Sequence, residues 1–257
     1  MFERILLPLD GSQLAEAAIP YARDIANQLD AEVYMLNVCT QEHQNNLHMH
    51  QIYVNYLADD LQNAMALGKD PSEISKVQRD VIVGEAEKII LNFIAEKNIS
   101  LVVMTSHGTS GFRSSNMGNV ADKILRESGI PSLLIRVKED VVEPFKRISI
   151  KKILMPLDDS EASKASIPYG KELARRLKAS VTLFSMAQTV YAQSLDGVGA
   201  GIGINWDNVD AATLNHSQAF MAEIEQEIKD AGIEVDSQTV IGMDAAYEIL
   251  EMEKKVK

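Results

Sequence analysis

The sequence predicts an α/β fold of two tandem doubly wound parallel-sheet domains, the second incomplete. Three observations predict it. Short apolar runs, right for buried parallel strands, alternate with amphipathic helical patterns along the 257 residues. Residues 101–135 read as strand, glycine-bearing loop, helix and strand. Residues 152–186 repeat residues 4–38 without a gap, with 14 of 35 positions identical, which points to duplication of a whole domain.

The elements follow in order. A first strand, residues 4–9, ends in Pro8-Leu9-Asp10-Gly11-Ser12. Asp10 or Ser12 can cap the next helix, residues 13–29, whose inner face reads Leu14, Ala18, Tyr21, Ile25 and Leu29. A second strand spans 32–38, a polar loop 40–53, and a helix runs on to about residue 67. After a third strand at 78–83, Gly84 turns the chain into a helix with Ala86, Ile89, Ile90, Phe93 and Ile94 inward. The fourth strand is 101–104. The next helix carries Val120, Ile124 and Leu125 at helical spacing and stops at Gly129-Ile130-Pro131, and a fifth strand at 132–135 closes the unit. Five strands alternating with four helices imply a sheet wrapped on both faces, and the first domain spans 1–140.

Residues 139–151, with Pro144 and alternating charge, form a linker to the second copy at 150–257. That copy matches through its third strand, 236–241, and the helix 245–256, and carries no counterpart of the fourth strand, glycine loop or fifth strand. In a strand order such as 3-2-1-4-5 its first strand is an open edge, to be covered by a partner chain, the first copy or a longer chain. The alternating Gly197, Gly199, Gly201 and Gly203 do not run from a strand into a helix and read as a loop, with Trp206 beside it.

A formal net charge of −12 argues against non-specific nucleic-acid or anionic-membrane partners. No run reaches 18 apolar residues, so no membrane insertion is expected. The single cysteine, Cys39, excludes an internal disulfide framework and reads as a strand-end residue in a reducing cytoplasm. The N-terminus enters a strand directly, without the pattern of a signal peptide. His43, His48 and His50 share one polar segment without supporting cysteine or carboxylate ligands and read as a solvated loop.

The chemistry concentrates in the loop after the fourth strand. Small residues there let backbone N–H groups approach an anion, and Gly118-Asn119-Val120 opens a helix whose positive end favours phosphate. The loop is neither a P-loop nor a G-x-G-x-x-G fingerprint. Spacing alone leaves a tight strand-to-helix turn as the other reading. His107, Arg113, Lys123 and Arg126 gather positive charge nearby. His107 can touch a phosphate or bond the loop backbone. Asp10 either caps a helix or meets a ligand at the carboxyl end of its strand, and Asp158 is its counterpart in the second copy.

The stretch resembles the signature of the universal stress protein family, roughly G-x2-G-x9-G-[S/T] in its nucleotide-binding members. The matching positions are Thr105, Gly108, Gly118 and Asn119. Thr105 stands where the pattern has its first glycine and adds a hydroxyl that can bond a ligand. Asn119 stands where it has Ser or Thr. The resemblance implies adenine nucleotide alpha hydrolase-like domains in a cytoplasmic, stress-linked protein that binds ATP or another adenine nucleotide and self-associates as a homodimer. By the same resemblance, Pro8, Leu9 and Asp10 would hold ribose and base, and Val38 the adenine. Thr105, His107, Gly108, Gly118, Asn119 and Val120 would hold the phosphates, with Asp10 helping a Mg²⁺ ion. The other reading is a nucleotide-free scaffold that acts through association, which Thr105, Asn119 and the shortened second copy favour. An enzyme such as a slow ATPase is the weakest reading, since only His107 or Asp10 could position a water.

Overall fold

A computed structural model of the chain describes residues 1–70, 74–107, 117–137, 147–188 and 206–256. The chain divides into two units, Met1–Ser149 and Ile150–Lys257.

In the first unit the elements are β1 (Arg4–Leu9), α1 (Gln13–Glu16), α2 (Ile19–Leu29), β2 (Glu32–Cys39), a 3₁₀ segment (Gln41–Asn46), α3 (Leu47–Ala66), β3 (Val77–Val83), α4 (Ala86–Lys97), β4 (Leu101–Thr105), α5 (Asn119–Glu127) and β5 (Ser132–Ile135). The sheet order is β3-β2-β1-β4-β5, every pair parallel. Side chains alternate across the pleat. Leu6, Leu36, Val102 and Met104 therefore share one face and pack with Ile90, Phe93 and Ile94 of α4 and Ala121 and Ile124 of α5. Leu7, Val33, Met35 and Asn37 fall on the other face. There α3 buries Val54, Ala58, Leu61 and Met65, one helical stripe.

Three local expectations need correction. The single helix expected over 13–29 is two. The N–H groups of Ala17 and Ala18 bond carbonyls only three residues back, Leu14 and Ala15, and Pro20 brings no N–H for a continuous ladder. The inner face of α2 is accordingly Ala22, Ile25, Ala26 and Leu29, while Leu14 and Tyr21 are half-buried. The polar stretch 40–53 is not a loop: it forms the 3₁₀ segment and the first two turns of α3, whose solvent face carries His48, Met49 and Ile52. In α5 the buried positions are Ala121 and Ile124, and Leu125 is exposed.

The second unit consists of β6 (Lys152–Pro156), α6 (Glu161–Leu177), β7 (Ser180–Gln188), α7 (Trp206–Asp230), β8 (Val235–Gly242) and α8 (Ala245–Val256). Its sheet is three-stranded, β6-β7-β8, also parallel. Met155, Val181 and Leu183 pack with Met221, Ile224 and Ile228 of α7. Here Pro168 lies inside one continuous helix, α6, where its counterpart Pro20 follows a break. Among the described residues β6 has a neighbour on one side alone. The Leu157 N–H bonds the Phe184 carbonyl on β7, and alternation turns Leu154 and Pro156 to the open side. Pro156, which lacks an N–H, thus sits where a proline costs no ladder bond.

The glycine run 197–203 lies outside the described residues, as do the Trp206 and His43 side chains. Among the described residues no helix is long and apolar enough to cross a membrane.

Candidate nucleotide site

The site starts from three strand ends. β1 pairs with β2 on one side and β4 on the other, so β1 and β4 diverge at the point where strand order reverses. Open parallel sheets form a ligand crevice at that point, beyond the carboxyl ends of the strands. Here the crevice is a cavity of about 440 Å³, lined by Pro8, Leu9 and Asp10 at the end of β1, Val38 on β2, Thr105 and His107 at the end of β4, and Gly118, Asn119 and Val120 at the start of α5. These residues come from four separate stretches of sequence. Of the predicted site residues, Gly108 lies outside the described residues.

The turn after β1 is built by side chains. Asp10 Oδ1 accepts from the Ser12 backbone N–H at 3.0 Å and from its hydroxyl at 2.6 Å. Ser12 Oγ then caps α1 by accepting from the Ala15 N–H at 3.1 Å. Ser12 is therefore the cap, and Asp10 braces it while remaining exposed at the cavity rim. The second copy repeats the device: Asp158 Oδ1 accepts from the Ser160 N–H at 3.1 Å and its hydroxyl at 2.5 Å, and Ser160 caps α6. Hydrogen bonds from Ser160 pull the Asp158 carboxyl below its usual range.

At the other end, the Gly118 N–H donates to the Ser106 carbonyl at 2.9 Å. A Cβ on Gly118 would stand 3.3 Å from that oxygen, so closeness rather than backbone angle favours glycine here. Gly118 is the N-cap of α5 and makes no side-chain cap, which leaves the first N–H groups of the helix facing the cavity end of the element. The Thr105 hydroxyl donates to the His107 carbonyl at 2.6 Å. Its proton is thus committed within the turn, and only its lone pairs remain for a ligand. His107 Nδ1 lies 3.1 Å from Ser106 Oγ. Arg126 is held by Asp122 at 3.0 Å, one turn along α5, and so is a partner of that helix before it is a free charge for the loop.

Sequence reasoning missed the apolar floor. Leu36, Ala86, Ile90 and Met104 line the cavity, together with Glu87 and Met117. The inward face of the helix after Gly84 was legible, yet only the fold shows that its first turn leans over the end of β2. Among the described residues no group of three or more His, Cys, Asp or Glu could hold a metal. Asp10 as a single carboxylate suits Mg²⁺ only where phosphate oxygens and waters complete the shell.

The sequence profile of the Universal stress protein family matches residues 1–136 and again 149–257. The chain belongs to the universal stress protein family. Among universal stress proteins, YxiE of Bacillus subtilis is 29% identical over 148 residues, covering 53% of this chain and all of that protein. A solved universal stress protein from Archaeoglobus fulgidus has 19% identity and a TM-score of 0.64, with 100% of this chain and 84% of that one aligned, a likeness of fold. Another solved universal stress protein, in complex with cAMP, matches 52% of this chain and 97% of its own at 18% identity and a TM-score of 0.39.

Proposed function

We propose that the first unit of this universal stress protein, residues 1–140, binds one adenine nucleotide, ATP foremost, in the cavity at the ends of β1, β2 and β4, and that the second unit, residues 150–257, has no such site. The observation that carries this reading is the convergence of Pro8–Asp10, Val38, Thr105–His107 and Gly118–Val120 on one cavity. Its volume of about 440 Å³ is of the size that small ligands and cofactors occupy. The apolar floor of Leu36, Val38, Ile90 and Met104 suits a base, and the α5 N-terminus suits a phosphate. Asp10 and Glu87 supply acceptors for ribose hydroxyls or, through a nucleotide-bound Mg²⁺, for the metal. Among its described residues the second unit shows no counterpart of β4 or α5.

A thermal shift with ATP and Mg²⁺ tests the reading. Ligand at 100 times Kd stabilises by about 2.7 kcal/mol. No shift at millimolar ATP would reject it. Phosphate release over time separates a binder from a slow ATPase, and the reading expects no turnover above background.

The second reading is a scaffold of the same fold that works by self-association or partner binding. The open side of β6 favours it, as do Met243, Tyr247 and Leu250, exposed on and before α8. Sedimentation velocity over a range of protein concentration tests for the dimer, and a monomer throughout would contradict it.

A further inference from the structure

Asn37 is fully buried on β2, on the face opposite the cavity, between Leu36 and Val38, which line it. A carboxamide in that position must find partners, since an unpaired buried amide costs about 1–3 kcal/mol. Its Nδ2 donates to the Leu9 carbonyl at 2.8 Å. A carbonyl can only accept, so this bond fixes the amide orientation and leaves Oδ1 as an acceptor. His50 Nδ1 lies 2.7 Å from Oδ1 and must therefore carry a proton. Leu9 is the last residue of β1, where the backbone leaves the sheet and turns through Asp10 into α1. One turn further along α3, the Tyr53 hydroxyl donates to Glu16 Oε1 at 3.0 Å, the last residue of α1. Helix α3 thus grips the strand end before the Asp10 turn and the helix after it, from behind the cavity. The duplicated strand carries Ser185 in place of Asn37, so this strand pattern folds without the carboxamide.

We propose that His50 and Asn37 are positioning residues for the nucleoside end of the cavity: through the Leu9 carbonyl they hold the Pro8–Asp10 backbone in its ligand-receiving conformation. Neither touches the ligand. The inference rests on the nucleotide reading above and adds to it a helix outside the cavity on which affinity depends.

The test measures affinities of the full chain for adenosine, AMP and ATP by calorimetry, in wild type, His50→Leu and His50→Gln, after circular dichroism has shown each variant folded. His50→Leu removes the donor to Asn37 Oδ1 and is expected to weaken all three ligands by the same factor, about tenfold, equivalent to about 1.4 kcal/mol. His50→Gln keeps an N–H donor and is expected to restore most of that affinity. Unchanged affinity in His50→Leu, a loss that grows with the number of phosphates, or a loss that glutamine does not rescue would overturn the proposal while leaving the nucleotide site standing. Should His50→Leu fail to fold, Asn37→Ser, which copies the second unit, is expected to give the same uniform loss, and unchanged affinity there would overturn it. Absence of binding in wild type would overturn the site itself, and this proposal with it.

Discussion

The backbone N–H of Gly118 donates to the carbonyl of Ser106 at 2.9 Å, fastening the start of α5 to the end of β4. That bond joins two elements that line this end of the cavity. A side chain at Gly118 would meet the same carbonyl, at the N-terminus of α5, where the first helical N–H groups have no intrahelical partner.

Gly118→Asp is therefore expected to abolish the ATP-induced thermal shift, since it sets a carboxylate where phosphate charge would lie. Gly118→Ala, with a Cβ 3.3 Å from the Ser106 oxygen, is expected to weaken binding without abolishing it. The check is the ATP shift of each variant relative to its own ligand-free melting temperature. A full shift in Gly118→Asp would remove this loop from the site.

Ser12→Ala deletes the cap of α1 and one of the partners of Asp10. A loss of about 0.5–2 kcal/mol in urea unfolding is expected. Weaker nucleotide affinity should accompany it, because Asp10 loses its brace at the rim.

Ile124→Ala tests the packing that carries α5. Ile124 is fully buried among Ile90, Phe93 and Val102. A destabilisation of about 2–5 kcal/mol is expected for such a truncation. The first unit's unfolding transition should move and the second unit's should stay.

Leu154→Pro tests the association reading. The Leu154 N–H faces the open side of β6, so proline there spares the bonds to β7 and blocks strand addition. A dimer that forms through this edge should become a monomer in sedimentation velocity, with ATP affinity unchanged. A dimer that persists would place self-association elsewhere.

Tyr53 offers a test in alkali. Burial, reinforced by the Glu16 carboxylate, pushes its phenol above the ordinary value of 10.0. Above pH 10 the unfolded chain gives up this proton and the native chain retains it, so the native state binds more protons and stability falls as pH rises. Tyr53→Phe is expected to flatten the fall measured by urea unfolding between pH 9 and 11. An identical slope in both proteins would contradict the contact.

Much of the fold was legible because the repeat, the short apolar runs and their alternation with helices all follow from patterning, and the sheet takes a doubly wound order that such alternation allows. The cavity lining was legible where a loop residue type reports on backbone geometry, as at Gly118 and Asp10. The break before Pro20 was not, because the same proline at Pro168 sits in an unbroken helix, and local sequence does not say which ladder survives. The helical start of α3 was hidden by its polar face, which reads as a loop until Val54, Ala58 and Leu61 are seen to share one buried stripe. The role of Asn37 was invisible for a related reason: an asparagine inside an apolar run gives no hint that Leu9 and His50, 28 and 13 residues away, complete its hydrogen bonds.

The decisive experiment for a single nucleotide site in the first unit is a crystal structure of the full chain grown with millimolar ATP and Mg²⁺. Nucleotide density is expected in the first unit, with the base over Val38 and Ile90 and the phosphates beside Gly118, and none in the second. An empty cavity at that concentration, or nucleotide bound elsewhere on the chain, would contradict it.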